Sequence, residues 1–208
     1  MNPVLAARLQ RAVEPLTRPP ERPPWNLDAL QGLPLPPTLR PAAVLVGVVA
    51  HAQPAVLLTR RAAHLRDHPG QVGFPGGRIE GQDASPVAAA LREAQEEIGL
   101  EQTLVQPLGY LDPLVTVTGF QVQPVLALVA PGYQPRLQRS EVAEVFEVPL
   151  SLLLDPARVQ TVSVEFGGRS HQVFQYDYAP QRIWGATAAI LVNLRQRLLT
   201  AQSEQRSE

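Results

Sequence analysis

The feature of this sequence most suited to chemistry is a set of three carboxylates, Glu93, Glu96 and Glu97, within five consecutive positions. Residues three and four apart in a helix project from the same face, so these carboxylates should lie side by side. Like charges that close repel each other unless a cation lies between them, and Mg²⁺ and Mn²⁺ are cations that prefer oxygen ligands. The spacing therefore predicts a magnesium or manganese site on which the three carboxylates converge.

The residues around these acids favour a helix over 86–98. Ser85 and Pro86 suit its N-cap and first turn, and Gly99 suits its end. Apolar residues recur at helical spacing on the opposite face, where they can pack on a core: Val87, Leu91, Ala94 and Ile98. An acidic run is often only a solvated helix face. Here a sharp loop at 74–77 leads to the capped helix, which favours the metal site.

The segment 77–100 resembles the Nudix box, in which a glycine and an acid precede an Arg-Glu-aliphatic-any-Glu-Glu-any-Gly-aliphatic run. Residues 92–100 fill that run, with a small alanine at the first aliphatic position. The spacer is one residue longer than in the pattern, and its acid is Asp83 rather than a glutamate. These departures weaken the case for a role of Asp83 or Glu80. The half of the motif that would hold the metal is intact.

A second motif, over residues 57–77, resembles the one that distinguishes Nudix coenzyme A pyrophosphatases, and every fixed position of it is occupied. The resemblance implies an α+β fold, the Nudix α/β/α sandwich with a mixed sheet. It also implies a hydrolase, dependent on Mg²⁺ or Mn²⁺, that cleaves the pyrophosphate bond of coenzyme A. The products would be 3′,5′-ADP and 4′-phosphopantetheine, and oxidised and acylated coenzyme A are further candidate substrates.

The resemblance and the chemistry together suggest roles for the acids. Glu93 and Glu97 would be metal ligands, and Glu96 a further ligand or the general base that acts on water. Because the site must be open to substrate, Glu97 is not expected to be buried. A later acid is an alternative base, with Glu141 as the first candidate and Glu144 as the second. Each of those two is equally well explained as an ordinary exposed acid.

The arginines have two expected roles. Arg92, among the acids, should orient a carboxylate with its guanidinium fork. Arg61 and Arg66 would bind phosphates at the adenosine end, especially the 3′-phosphate that coenzyme A carries and ADP-ribose lacks. The alternative is that both are surface arginines beside a strand. The other residues assigned to substrate binding would shape or tighten the loop: Gly70, Phe74, Gly76 and Gly77.

Composition and charge narrow the partners to a small molecule. With 18 basic and 19 acidic residues the net charge is −1, so no basic field indicates nucleic acid or an anionic membrane. The absence of cysteine excludes disulfides, thiolate metal sites and a cysteine nucleophile. The apolar run at 42–50 is too short to span a bilayer, and the N-terminus lacks a signal-peptide core. We expect a cytoplasmic protein, either a monomer or a homodimer.

The chain divides into an N-terminal helix and proline-rich arm over 1–41 and a Nudix hydrolase domain over 42–208. The arm is either a solvated linker or a functional segment, and Trp25 and Leu27 suggest that it packs somewhere. Periodicity predicts the elements of the domain. The predicted strands are 42–51, 55–60, 103–112, 121–130 and a hairpin within 162–178, and the predicted helical segments are 86–98, a turn after Ser140, 149–154 and 183–199.

Two other functions compete with coenzyme A hydrolysis. One is a Nudix hydrolase of ADP-ribose, NADH or nucleoside triphosphates, against which the 57–77 motif argues. The other is a non-catalytic module that binds a nucleotide as a sensor. Such a module is expected to lose its metal acids, and Glu93, Glu96 and Glu97 are all present. A panel of substrates separates these possibilities.

Overall fold

A mixed sheet built around two long parallel strands forms the centre of the fold. The computed structural model describes residues 3–33 and 35–205. Residues 1–2 and 34 of the predicted arm, and residues 206–208 of the predicted domain, lie outside the described residues. Strand β1 (Arg40–Val49) runs parallel to β7 (Phe120–Val129) along its whole length. Both strands are mostly apolar and buried, as expected of strands that are covered on both faces.

Shorter strands extend this sheet on both sides. They are β2 (Ala55–Arg61), β3 (Val72–Gly73), β4 (Gly76–Arg78), β5 (Val105–Tyr110), β6 (Leu114–Val115) and β8 (Val142–Pro149). Within the described residues the sheet has eight strands, in the main order β3-β2-β1-β7-β5. Off that order, β4 pairs with β1, β6 with β7 and β8 with β2.

A second, smaller sheet contains the predicted hairpin. Its strands are β9 (Val159–Phe166), β10 (Arg169–Tyr178) and β11 (Gln181–Trp184), in the order β11-β10-β9. Gly167 and Gly168 join β9 to β10, and both have positive φ angles, 59° and 73°. Tight hairpin turns require such angles, which explains the glycine pair and confirms the predicted hairpin.

Helices cover both faces of the mixed sheet. They are α1 (Pro3–Gln10), α2 (Pro86–Ile98), α3 (Leu150–Leu154) and α4 (Gly185–Gln205). One apolar cluster joins α2 to one face through Ala90, Ala94 and Ile98, and another joins α4 to the opposite face through Leu191 and Leu194. The predicted α+β sandwich with a mixed sheet is confirmed. No helix in the described residues is both long and apolar enough to cross a membrane.

Two predicted helical segments differ from the structure in their bounds. The turn expected after Ser140 ends at Glu141, where the N–H groups of Glu141 and Val142 donate to the carbonyl of Gln138. Strand β8 follows at once, because its valines favour extended backbone and its backbone polar groups pair with β2. The C-terminal helix begins at Gly185, because Ile183 and Trp184 still pair with β10. The predicted helix over 86–98 agrees with the structure at both ends.

The proline-rich arm packs on the domain at least as far as its middle. The backbone N–H of Trp25 donates to the carbonyl of Pro113 at 2.8 Å. Asn26 and Val115 exchange two hydrogen bonds, of 2.7 Å and 2.9 Å. Leu27, by contrast, remains 44% exposed. A solvated linker does not describe this part of the arm.

A polar network also ties the end of the N-terminal segment to α4. Arg197 donates to Asp112 and to Glu14, each at 2.9 Å. Asn193 donates to the second oxygen of Asp112 at 2.7 Å, and Arg22 pairs with the first at 3.0 Å. Hydrogen bonds from Arg197, and then from Arg22, hold the pKa of Glu14 below its ordinary value. Asp112 is buried, so it depends on these partners.

Arg197→Leu is expected to lower the free energy of unfolding by about 3 kcal/mol at neutral pH, because it removes a partner from the buried Asp112. The difference in free energy between parent and variant should narrow in acid. Arg197 lowers the pKa of Glu14, and the stabilisation from that lowered pKa is lost as the pH falls through it. Urea denaturation measures both effects. The control is Arg158→Leu, which removes an exposed pair with Asp155 and should cost less than about 1 kcal/mol. Equal losses in the two variants would contradict the prediction.

Candidate active site

The predicted acids line one cavity of about 370 Å³. Its walls are formed by Glu80, Arg92, Glu93, Glu96, Glu97, Gln138 and Glu141. Helix α2 presents the three central glutamates, and its start is fixed because the Oγ of Ser85 accepts a hydrogen bond from the N–H of Ala88. The structure thus brings together the predicted metal ligands and Glu141, the first candidate among the later acids, which lies more than forty residues further along the chain.

Glu97 is buried, with 6% of its surface exposed, contrary to expectation. Strand β4 covers it, because Gly76 has no side chain and its N–H reaches an oxygen of Glu97 at 3.1 Å. Burial raises the pKa of Glu97 to about 8, although that hydrogen bond lowers it. The charges of Glu93 and Glu141 raise it further, and the charge of Arg61 acts in the opposite direction. A buried carboxylate among like charges is a position that a cation would stabilise.

Two glycines let β4 approach its neighbours closely. A Cβ atom on Gly77 would lie 2.4 Å from a carboxylate oxygen of Glu93. One on Gly76 would lie 2.4 Å from the carbonyl oxygen of Ala43. Both distances are far below van der Waals contact, so neither position accepts a side chain without rearrangement. Gly77 therefore packs directly against α2, and Gly76 packs directly against β1.

Arg92 organises the acidic side chains. Its guanidinium donates two hydrogen bonds of 3.0 Å to Asp83, and further ones to Glu93 at 2.9 Å and to Glu96 at 3.0 Å. It also donates to the carbonyl of Arg78 at 3.1 Å. The interpretation of Arg92 as a fork that orients carboxylates agrees with these contacts.

Asp83 has a defined position that the spacing argued against. It accepts both hydrogen bonds of one side of the Arg92 fork, and the N–H of Glu80 donates to it at 2.8 Å. The hydrogen bonds from Arg92 lower the pKa of Asp83. The extra residue of the spacer is absorbed in the loop before α2, so the shorter aspartate still reaches its partner. The sequence did contain a signal for this contact, because Asp83 follows Gly77 after five residues, as the acid of the motif does.

The three glutamates line one cavity, but their carboxylates are held apart by different partners. Among the residues that the structure describes, no three His, Asp or Glu side chains are placed to enclose a metal ion. Arg92 draws Glu93 and Glu96 to its guanidinium, while Glu97 turns to Gly76. The donor set still fits Mg²⁺ or Mn²⁺, because four glutamates of the motif segment and Glu141 offer carboxylate oxygens to one cavity. Mg²⁺ commonly combines one or two carboxylates with water and substrate phosphates.

The loop with the two predicted phosphate-binding arginines adjoins this cavity. The N–H of Ala62 donates to the carbonyl of Glu141 at 2.8 Å. Arg61 is half-buried and donates to the carbonyl of Asp67 at 3.4 Å, whereas Arg66 is exposed. Within the described chain neither guanidinium forms an ion pair with a carboxylate. Their charges are therefore available to an anion beside the acidic cavity.

The other residues predicted for substrate binding or as a base lie partly in the core and partly at the surface. Phe74 is buried in the core, so it can shape the loop but is covered from a ligand. Gly70 has a φ of 68° and open space where a side chain would be. Glu144 pairs with Arg60 at 3.1 Å and accepts a hydrogen bond from Gln181, outside the cavity. Between the two later acids, Glu141 alone lines the cavity.

The NUDIX domain family matches residues 38–166, which is more than half of the chain. The chain belongs to the NUDIX family. It is a Nudix hydrolase of nucleoside diphosphate derivatives, a class that generally uses divalent cations such as Mg²⁺ or Mn²⁺.

Named relatives and solved structures are similar to this chain over most of its length. A protein of Enterobacter sp. (strain 638), named Uncharacterized Nudix hydrolase NudL, is 45% identical over 155 residues, or 74% of this chain and 81% of the relative. The protein of the same name from Salmonella newport (strain SL254) is 48% identical over the same shares. The crystal structure of a NUDIX hydrolase from Alicyclobacillus acidocaldarius is 22% identical, with a TM-score of 0.49, and the match covers 77% of this chain and 93% of that one.

Proposed function

We propose that this Nudix hydrolase cleaves the pyrophosphate bond of coenzyme A to 3′,5′-ADP and 4′-phosphopantetheine. The observation that carries the proposal is the contact between the loop of the 57–77 motif and the acidic cavity. The loop with Arg61 and Arg66 adjoins the cavity lined by the motif glutamates, because the N–H of Ala62 donates to the carbonyl of Glu141. A diphosphate held at these acids through a cation would therefore place a further phosphate near two arginines that form no ion pair with a described carboxylate.

The cation would be held by Glu93 and Glu97, with Glu96 as a further ligand or a group that positions water. A divalent cation neutralises diphosphate oxygens and favours ionisation of a bound water. The protein's own part is to set the positions of the carboxylates. Arg92 fixes Glu93 and Glu96, and the N–H of Gly76 fixes Glu97.

Glu141 is our first choice for the general base. Its side chain lines the cavity, and no described residue donates a hydrogen bond to its carboxylate. Glu96 is the second choice, but Arg92 donates to it at 3.0 Å. That hydrogen bond occupies one carboxylate oxygen of Glu96, which leaves Glu141 the freer of the two to accept a hydrogen bond from water.

Product analysis tests the proposal. The purified protein would be incubated with coenzyme A, ADP-ribose and NADH, each with Mg²⁺ or Mn²⁺. We expect coenzyme A to be the preferred substrate, with 3′,5′-ADP and 4′-phosphopantetheine as its products. A higher kcat/KM for ADP-ribose or NADH would assign the protein to another Nudix substrate. Binding without turnover of any of the three would support a nucleotide sensor.

Dephospho-coenzyme A is expected to be about ten- to hundredfold poorer than coenzyme A in kcat/KM, because hydrogen bonds to a charged phosphate contribute roughly 1.5–3 kcal/mol. The ratio should shrink in Arg61→Ala or Arg66→Ala. Arg60→Ala is the matched control, since Arg60 is already paired with Glu144 and should leave the ratio unchanged. Equal kcat/KM values for the two substrates in the parent protein would remove the reason for a 3′-phosphate site.

A further inference from the structure

A second cavity lies beneath the proline-rich arm, and we call it the arm groove. It has a volume of about 330 Å³ and is bounded by arm residues 18–21 and by Pro41, Ile79, Pro113 and Gln123. Six of the ten lining residues are proline, alanine or isoleucine, and the two charged ones, Arg18 and Glu21, form an exposed ion pair with each other. The groove therefore suits an extended, largely apolar chain rather than a phosphate.

Gln123 gives this apolar groove a polar group. The side chain is 8% exposed, and its amide nitrogen donates to the carbonyls of Leu111 at 2.8 Å and Pro124 at 3.3 Å. The amide oxygen accepts no hydrogen bond from a described residue, so it is available to a ligand N–H in the groove that Gln123 lines.

The arm groove adjoins the acidic cavity. Ile79 lines the groove, and the next residue, Glu80, lines the cavity. The loop with Arg61 adjoins the cavity at another part of its wall, where Ala62 bonds to Glu141. A substrate with its diphosphate at the acids and its adenosine end toward Arg61 therefore has the groove available for its other end.

We propose that the arm groove binds the pantetheine arm of the substrate, with the amide oxygen of Gln123 accepting a hydrogen bond from a pantetheine amide N–H. This assignment rests on the proposed hydrolysis of coenzyme A. Pantetheine combines an aliphatic chain with two secondary amides, which matches walls that are mostly apolar and include the amide group of Gln123. The N-terminal arm thereby contributes to substrate selection and not only to stability.

Binding of the two product halves tests the groove. Calorimetric titration in Mg²⁺ measures Kd for 4′-phosphopantetheine and for 3′,5′-ADP separately. Gln123→Leu should weaken 4′-phosphopantetheine about tenfold and change 3′,5′-ADP by less than about twofold, since one hydrogen bond is lost at one end only. Gln121→Trp fills the groove from its exposed rim and leaves the buried amide of Gln123 in place. It should weaken the binding of 4′-phosphopantetheine by more than about tenfold and again leave the binding of 3′,5′-ADP nearly unchanged. Gln160→Trp, at an exposed position of β9, is the control.

The outcomes separate this inference from the proposed function. If the parent cleaves coenzyme A but both groove variants bind 4′-phosphopantetheine as the parent does, the groove assignment is overturned and the function stands. If the variants weaken 3′,5′-ADP instead, the groove takes the adenosine end and the assignment is also overturned. If the parent neither cleaves coenzyme A nor binds 4′-phosphopantetheine, both are wrong. The melting temperature of each variant, compared with that of the parent, tests whether the variant is folded.

Discussion

Glu97→Gln should reduce the turnover of coenzyme A by at least about a thousandfold at saturating Mg²⁺. Glutamine keeps the size of the side chain and can still accept the hydrogen bond from the N–H of Gly76. It lacks the negative charge that a hard divalent cation needs. The loss should therefore appear in kcat and persist at high concentrations of cation and substrate. Steady-state kinetics measures it.

The same substitution should stabilise the cation-free protein at neutral and alkaline pH. Burial raises the pKa of Glu97 to about 8, so the folded state binds its proton more tightly than the unfolded state does. A raised carboxyl pKa stabilises the fold fully below the unfolded value and loses that contribution as the pH rises to 8. Glutamine does not titrate. In EDTA, the Tm of the variant should thus exceed the Tm of the parent. The excess should grow as the pH rises from the ordinary glutamate pKa of 4.5 to about 8, and should be constant at higher pH.

Glu101→Gln is the control, because Glu101 is an exposed acid beyond the end of α2 that pairs with Arg136. It should change neither turnover nor the pH dependence of Tm. Activity of Glu97→Gln within about threefold of the parent would reject the ligand assignment, since that corresponds to less than about 1 kcal/mol of transition-state stabilisation. A lower Tm at every pH would instead indicate a structural role for Glu97.

Local patterns in the sequence predicted the elements that hold the site. The capped helix over 86–98, the central strands and the glycine hairpin each follow from signals within a few residues, namely caps, apolar runs and turn residues. Strand β8 was missed because its extended state depends on pairing with β2, about eighty residues earlier. Pairing over that distance leaves little local trace.

The details of the site depended on tertiary contacts in the same way. Helical spacing correctly placed Glu93, Glu96 and Glu97 on one face, but it could not show that β4 buries Glu97. Spacing also argued against Asp83, although the loop before α2 absorbs one additional residue and leaves its bidentate contact with Arg92 intact. Motif spacing is a weaker constraint in loops than in helices, where each residue fixes the direction of the next.

Glu141→Gln should lower kcat by a factor of about 10² to 10⁴, the usual contribution of a general base, and should change KM by less than about threefold. The amide cannot accept the proton of the attacking water, but it leaves the cavity the same size. Glu144→Gln is the matched control, since Glu144 lies three residues further along the chain, pairs with Arg60 and does not line the cavity. It should remain within about twofold of the parent.

Comparison with Glu96→Gln decides between the two candidate bases. Arg92 donates a hydrogen bond to the carboxylate of Glu96 and so occupies one of its oxygens, whereas no described residue donates to the carboxylate of Glu141. If Glu96 serves only to position a cation or water, raising the Mg²⁺ concentration should restore part of the activity of Glu96→Gln and none of that of Glu141→Gln. The opposite pattern, with Glu141→Gln near parental activity and Glu96→Gln beyond rescue, would make Glu96 the base. Glu141 would then contribute only negative charge to the wall of the cavity.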